Sequence, residues 1–219
     1  SEYSTCFAPN WGGFLGQMVA APGERDFLSE RGAAFYDYFG TAAGAAGQGY
    51  YSFELGSWHI VVLNSVCSYA GGCGVNAAQM QWLREDLSQH DALCTAAIWH
   101  YPLFSSGQHG GSAAVQPFWD ILYAAGAELV INAHDQDYER FAPMNPQATP
   151  DPDNGIREFV VGTGGSGLTG LGDPAPNSEY TIFYTYGVLK LTLKPDSYEW
   201  EFVPQAGMGA SDHGSGTCH

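Results

Sequence analysis

Two histidines constrain this chain most, because each ends a short apolar run just as a polar loop begins. His100 follows the run Ala96–Trp99, and His134 follows Leu129–Ile131. In layered α/β architectures the strand ends that face loops are where ligands and catalytic groups collect. Between them, from Ser112 to Gly126, Val115, Phe118, Trp119, Leu122 and Tyr123 recur at helical spacing. A strand–helix–strand unit of this kind predicts a right-handed crossover joining neighbouring parallel strands. His100 and His134 should then leave the sheet at one edge, close enough to share a ligand.

Other elements follow from pattern. Tyr50 to Leu55 alternates and Trp58 to Leu63 is continuously apolar, which predicts a hairpin entering the core. His59 lies inside the second run and reads as a hydrogen-bonded core histidine. Asn76 is expected to cap a helix through about Gln89, with Met80, Leu83 and Leu87 on one face and His90 at the C-terminal end. Arg157 to Val161 reads as a buried strand, and Gly162 to Gly172 as turns near a site mouth. Leu189, Leu191 and Leu193 alternate, Lys194–Ser197 turns, and Tyr198, Trp200 and Phe202 alternate back, a hairpin expected at a sheet edge. Residues 1–22 read as loop or short helix, and His219 as part of a mobile terminus.

Composition narrows the partners. One domain over residues 1–219 is the default at this length. Acidic residues outnumber basic ones 23 to 7, for a formal charge of −16. Such a surface repels nucleic acid and anionic membrane, so neither is expected as a partner. No apolar run approaches a membrane span, and no signal peptide opens the sequence, as expected of a processed or engineered start. Five cysteines suit an exported, extracellular protein. Cys67 and Cys73 flank a glycine-rich loop and form the natural local pair. Cys6, Cys94 and Cys218 leave one further pair and one free thiol, with the choice open.

The segments W-H-Y-P-L-F-S-S-G and N-A-H-D-Q-D-Y-E-R-F resemble the last two motifs of calcineurin-like metallophosphoesterases, in the purple-acid-phosphatase-like bacterial branch. The resemblance implies an α/β (α+β) fold, a layered β-sandwich flanked by helices, with metal at the strand ends. Ala133 stands where the motif has glycine, and Gln136 where it has a metal-ligating histidine. Pro22-Gly23-Glu24-Arg25-Asp26, followed by Tyr36-Asp37-Tyr38-Phe39-Gly40, aligns with the asparagine motif of the family. On that alignment Glu24 replaces a ligating asparagine and Arg25 a histidine that faces the phosphate. Taken alone, P-G-E-R-D is an ordinary exposed turn.

The family's D-x-H and G-D-x-x-Y motifs occur nowhere in the chain. The resemblance therefore implies an N-terminally truncated member, lacking the first strands, that cannot build a two-metal site. The tail G-S-G-T-C-H resembles the end of these bacterial proteins. The implied ligand set is His100, His134 and Glu24, holding one divalent ion, zinc or iron, or none. Arg25 would bind the oxygens of a small phosphate ester. Asp135 or Asp137 would act as base or orient a histidine, and His109 would line the pocket or lie free on the surface. Three readings follow: a residual or altered phosphoesterase, a non-catalytic secreted module, or one fragment of a longer enzyme. Loss of inner strands also predicts self-association, or a partner that covers the gap.

Overall fold

Among residues 2–219, which this computed structural model describes, strands outnumber helices and set the architecture. The helices are α1 (Ala8–Trp11), α2 (Ala33–Phe39), α3 (Ala78–Gln89) and α4 (Gln116–Ala124). The strands are β1 (Tyr51–Leu55), β2 (Trp58–Val62), β3 (Cys94–Ile98), β4 (Leu129–Asn132) and β5 (Tyr138–Phe141). β6 (Arg157–Val161), β7 (Ser178–Ile182), β8 (Gly187–Lys194), β9 (Ser197–Pro204) and β10 (His213–Thr217) complete them.

Seven strands form one sheet in the order β1-β2-β3-β4-β6-β5-β7, and three form a second in the order β10-β9-β8. β2, β3, β4 and β6 run parallel, whereas β1, β5 and β7 join antiparallel. The expected β3–α4–β4 crossover is present, with Ile98 opposite Ile131 in parallel register. Alternation along each strand builds two cores. Val61, Ala97, Trp99, Val130 and Val160 face α3 and α4, meeting Met80, Leu83, Phe118, Trp119 and Leu122. Ile60, Ala96, Leu129, Tyr138 and Phe159 face the second sheet, meeting Tyr198, Trp200 and Phe202. The architecture is a β-sandwich with helices on one outer face, as the resemblance implied.

Three local expectations are corrected. Asn76 does not cap α3: the N-cap is Ala77, without a side-chain bond, because the Gly74–Ala77 turn holds Asn76 inside it. The β8–β9 hairpin is not the end of its sheet on both sides, since β10 pairs along β9 from His213↔Glu201 to Thr217↔Ser197. His219 is held rather than mobile, its Nδ1 2.5 Å from buried Glu128 Oε2. The open cysteine choice resolves to Cys94–Cys218 beside the local Cys67–Cys73 bond, with Cys6 free and exposed.

The D-Y-E-R segment splits between the two faces. Tyr138 Oη and Arg140 Nε both donate to Asp212 Oδ2 at 2.7 Å, joined by Trp200 Nε1 at 3.0 Å. Arg140 and Arg157 also stack over the Trp200 ring, 5.1 and 4.9 Å from its centroid. On the helix face Glu139 Oε2 accepts the Ser106 amide at 2.7 Å, and Glu158 Oε1 accepts Leu103 N at 3.2 Å. Buried acids thus pin the loop that follows His100.

His59 is fully buried and bonded at both ring nitrogens, to Glu54 Oε1 at 2.7 Å and Asp86 Oδ2 at 2.8 Å. Ser52 Oγ donates to Asp86 Oδ1 at 2.6 Å, and the His90 ring stacks on His59 at 4.2 Å. Burial lowers the His59 pKa, but the bonds to Asp86 and Glu54 outweigh it and the net shift is upward. Because the folded value is raised, this clamp stabilises fully below the unfolded histidine range. It is lost as pH rises through the raised folded value. Thermal unfolding should therefore show stability falling with pH above about 6.5. Asp86→Asn, which weakens a bond worth about 2 kcal/mol, should flatten that slope; an unchanged slope in the variant refutes the assignment.

Candidate metal centre

β3 and β4 end side by side, and the backbone continues their pairing one step into the loops, with Ala133 N donating to His100 O at 3.0 Å. This brings His100 Nε2 to 3.2 Å from His134 Nδ1. His134 sits at φ 65°, a left-handed conformation uncommon for a residue with a Cβ and concentrated at functional sites. The P-G-E-R-D stretch arrives from the other side as one short helical turn, Glu24–Phe27. Asp26 fixes that turn, taking the Gly23 amide at 2.8 Å and the Tyr3 hydroxyl. Gly23 is required by proximity: a Cβ there would lie 2.9 Å from His100 Nδ1.

The turn delivers Glu24 to the histidines. Its Oε2 closes on His100 Nε2 and lies 3.8 Å from His134 Nδ1. Glu24, His100 and His134 each offer one ligand atom, all within 4.8 Å of one another. Glu24 Oε2 is buried with no well-directed hydrogen bond. Burial, aided by His134, pushes the His100 pKa below the usual histidine range despite Glu24. Burial likewise lowers His134, aided by His109 and opposed by Glu24 and Asp135. Both imidazoles are thus biased toward the neutral form that ligates metal. Ligand atoms on a tetrahedral ion at about 2.0–2.1 Å would stand roughly 3.3 Å apart. The His100–His134 spacing matches that and the Glu24–His134 spacing is slightly wider, while Glu24 closes directly on His100; with that carboxylate drawn back, the three residues fit one divalent ion.

The other candidates separate. His109 lies at the mouth, exposed, its ring 5.1 Å from that of His134. Asp135 is fully buried, and its carboxylate takes Ser105 Oγ at 2.5 Å, His109 N at 2.8 Å and Gly110 N at 3.1 Å. Those bonds commit it to holding the His109 loop, which is a positioning task. Asp137 is also buried, both oxygens unpartnered, its pKa pushed up to about 7 by burial and by Asp135 and Glu139. Arg25 does not reach the histidines: its side chain is 81% exposed, with Nε 3.6 Å from Glu24 Oε1. Gln136 is tied through its backbone to Thr169, at 3.2 and 3.1 Å.

Tyr101 is a site residue that motif reasoning passed over. Its ring packs 4.4 Å from His134 and 5.0 Å from His100, and its amide donates to Ser65 Oγ at 2.9 Å. The signal available was an aromatic residue directly after a strand-end histidine.

No family model matches the chain. Among curated proteins it is similar to purple acid phosphatase 18 of Arabidopsis thaliana, 31% identical over 144 residues, which are 61% of this chain and 31% of that protein. Purple acid phosphatase 15 of the same plant is 32% identical over 104 residues, 45% of this chain and 19% of its own length. Acid phosphatase A of Cryphonectria parasitica is 24% identical over 68% of this chain and 34% of its own. The chain therefore spans no more than about a third of these three relatives. In fold, a purple acid phosphatase from yellow lupin (Lupinus luteus) seeds superposes with TM-score 0.76 at 16% identity, over 90% of this chain and 38% of that one. GAP50, the anchor in the inner membrane complex of Plasmodium, gives 0.63 at 16% identity, over 88% and 64%. The resemblance drawn from two motifs thus holds as a purple-acid-phosphatase-like sequence and fold over most of the chain.

Proposed function

We propose that this chain is a degenerate metallophosphoesterase-like domain whose site holds one divalent ion, zinc or iron, through His100, His134 and Glu24. The observation that carries the reading is the convergence of those three ligand atoms, one of them a buried carboxylate oxygen. Such an ion supplies Lewis acidity toward a phosphoryl oxygen and lowers the pKa of bound water. The chain's own residues do the rest. Tyr101 and the left-handed backbone at His134 fix the imidazole, and Asp135 holds the loop that presents His109 at the mouth. His109 is placed to hold or protonate an ester oxygen. Arg25, turned to solvent beside Glu24, would have to swing inward to grip a small phosphate ester with its planar fork.

A second reading is favoured by Gln136, an amide where the resemblance implies an imidazole ligand. On that reading the domain is a non-catalytic module, and a fold shared with both a phosphatase and an anchor protein does not choose between the two. The two disulfides support an oxidising, extracellular setting for either form. Hydrolysis of p-nitrophenyl phosphate by the zinc- and iron-loaded chain separates the readings. We expect kcat/KM below about 10² M⁻¹s⁻¹, against the roughly 10⁴–10⁸ usual for enzymes, and expect it to vanish in His134→Ala. Turnover in the ordinary range, or activity surviving His134→Ala, overturns the degenerate-hydrolase reading. Metal binding with no turnover selects the module.

A further inference from the structure

A second cluster of histidines and carboxylates lies at the opposite end of the sheet from His100 and His134. His59 pairs with Thr95 near the start of β3, whereas His100 comes after the last residue of that strand. Glu54 on β1, His59 on β2 and His90 just past α3 each offer one ligand atom, all within 4.8 Å of one another. Asp86 orients both rings. Its Oδ2 lies 2.8 Å from His59 Nε2, and its backbone carbonyl accepts His90 Nδ1–H at 2.7 Å. Its Oδ1 is already taken by Ser52 Oγ at 2.6 Å. Metal-ligating histidines are almost always held in this manner, one ring N–H being donated to a carboxylate or a backbone carbonyl. His59 Nδ1 and His90 Nε2 are the ring atoms left over.

The local charge is unbalanced without an ion. His59 stands between two carboxylates, with Glu54 Oε1 at 2.7 Å on its Nδ1 side. A doubly protonated ring still leaves this trio with one net negative charge. Among the described residues no lysine or arginine pairs with either acid. A divalent ion in place of the Nδ1 proton makes the trio neutral. Two imidazoles, one carboxylate and a water are a ligand set that suits zinc. Two adjustments admit it. Glu54 draws back from 2.7 Å toward the roughly 3.3 Å between ligands on zinc, and among the described residues its carboxylate bonds only His59. The His90 ring, stacked 4.2 Å from His59 and 18° from parallel, swings off its stack.

We infer that Glu54, His59 and His90 form a second, exchangeable zinc site, with Asp86 holding both imidazoles, and that zinc there ties the end of α3 to the β1–β2 hairpin. The site does not depend on the ion proposed at His134. Zinc has to displace the Nδ1 proton and its bond to Glu54, which keeps the affinity modest. Gel filtration into metal-free buffer therefore empties this site and leaves the ion at His100 and His134.

Equilibrium dialysis of the whole chain against zinc ion, read by elemental mass spectrometry, tests this. In His134→Ala, zinc should bind saturably with a stoichiometry near one. Adding His90→Ala should weaken that binding at least about tenfold, the lower bound for disturbing even a group that orients a ligand. Adding Glu54→Gln should do the same. Adding His213→Ala, an exposed histidine on β10, should leave it unchanged. The melting temperature of His134→Ala should rise with zinc, because a ligand that binds only the folded chain stabilises it. The His90→Ala double variant should lose that response, and its metal-free melt shows that it folds. No saturable zinc in His134→Ala, or undiminished binding after His90→Ala, overturns the inference. An equal loss in the His213→Ala control also overturns it, by marking an adventitious ion only.

Discussion

Replacing His134 by alanine is expected to abolish the single-ion binding proposed for this site. The wild type should retain close to one divalent ion per chain after gel filtration, measured by elemental mass spectrometry. Among the described residues His134 supplies one of the three ligand atoms that converge at this site, and its left-handed backbone aims the ring at the other two. Disturbing groups that merely orient a ligand costs about 10–100-fold in affinity. Removing a ligand outright should exceed that and leave no metal. Glu24→Ala should weaken retention severalfold or more, because a buried oxygen then no longer faces the imidazoles. His109→Ala should keep the ion, since that ring lies at the mouth, 5.1 Å from the His134 ring. A stoichiometry near two, or full retention in His134→Ala, would falsify the single-ion site.

The second large effect is on stability. Asp212 draws together Tyr138, Arg140 and Trp200, and those hydrogen bonds hold its carboxyl below the usual range although burial works to raise it. Asp212→Ala would leave a hydroxyl and an indole N–H without their partner and a guanidinium with Glu179 as its remaining ion-pair partner. Breaking a buried ion pair costs about 3–5 kcal/mol. The surviving Glu179 contact puts the expectation near the lower end, about 3 kcal/mol. Urea unfolding should show it as a lower midpoint at constant slope. Asp212→Asn, which keeps one acceptor oxygen, should lose less. A loss below about 1 kcal/mol, the value of an ordinary hydrogen bond, contradicts the role assigned to Asp212.

Much of the frame was legible because apolar periodicity reports burial directly. The runs ending at His100 and His134 became parallel neighbours, and the helical spacing from Val115 to Tyr123 became α4 with the short turn before it. β10 was not legible because its own composition argues against a strand. Gly214 and Gly216 lack side chains to pattern, and the reason lies on the next strand. A Cβ on Gly214 would stand 2.3 Å from Trp200 Cζ2, and one on Gly216 2.4 Å from Tyr198 Cζ. The aromatic rings of β9 cover the glycines, so the partial burial of alternate β10 residues is supplied by its partner.

The site shows the same division. Glu24 followed from alignment, and Gly23 packed against His100 supplies the physical reason for that approach. The outward turn of Arg25 could not be read from a motif, since a one-residue change of direction inside a short helical turn leaves no periodic trace. Asp135 carried a chemically ambiguous side chain until its three donors were in place.

The Cys94–Cys218 bond also has a mechanical meaning. It joins the first residue of β3 to the segment just after β10, across a sequence separation of 124. A pull applied outside that span passes straight through the sulfurs. The enclosed chain, roughly 400 Å or more if drawn out at about 3.3 Å per residue, cannot contribute to extension while the bond is oxidised. His100, His134 and the loop that carries His109 all lie within this unloaded ring. Glu24 and Tyr3 lie outside it, on the tensioned side. Stretching would therefore draw the Glu24 carboxylate away from two stationary imidazoles, so force and reduction would act on the site in different ways.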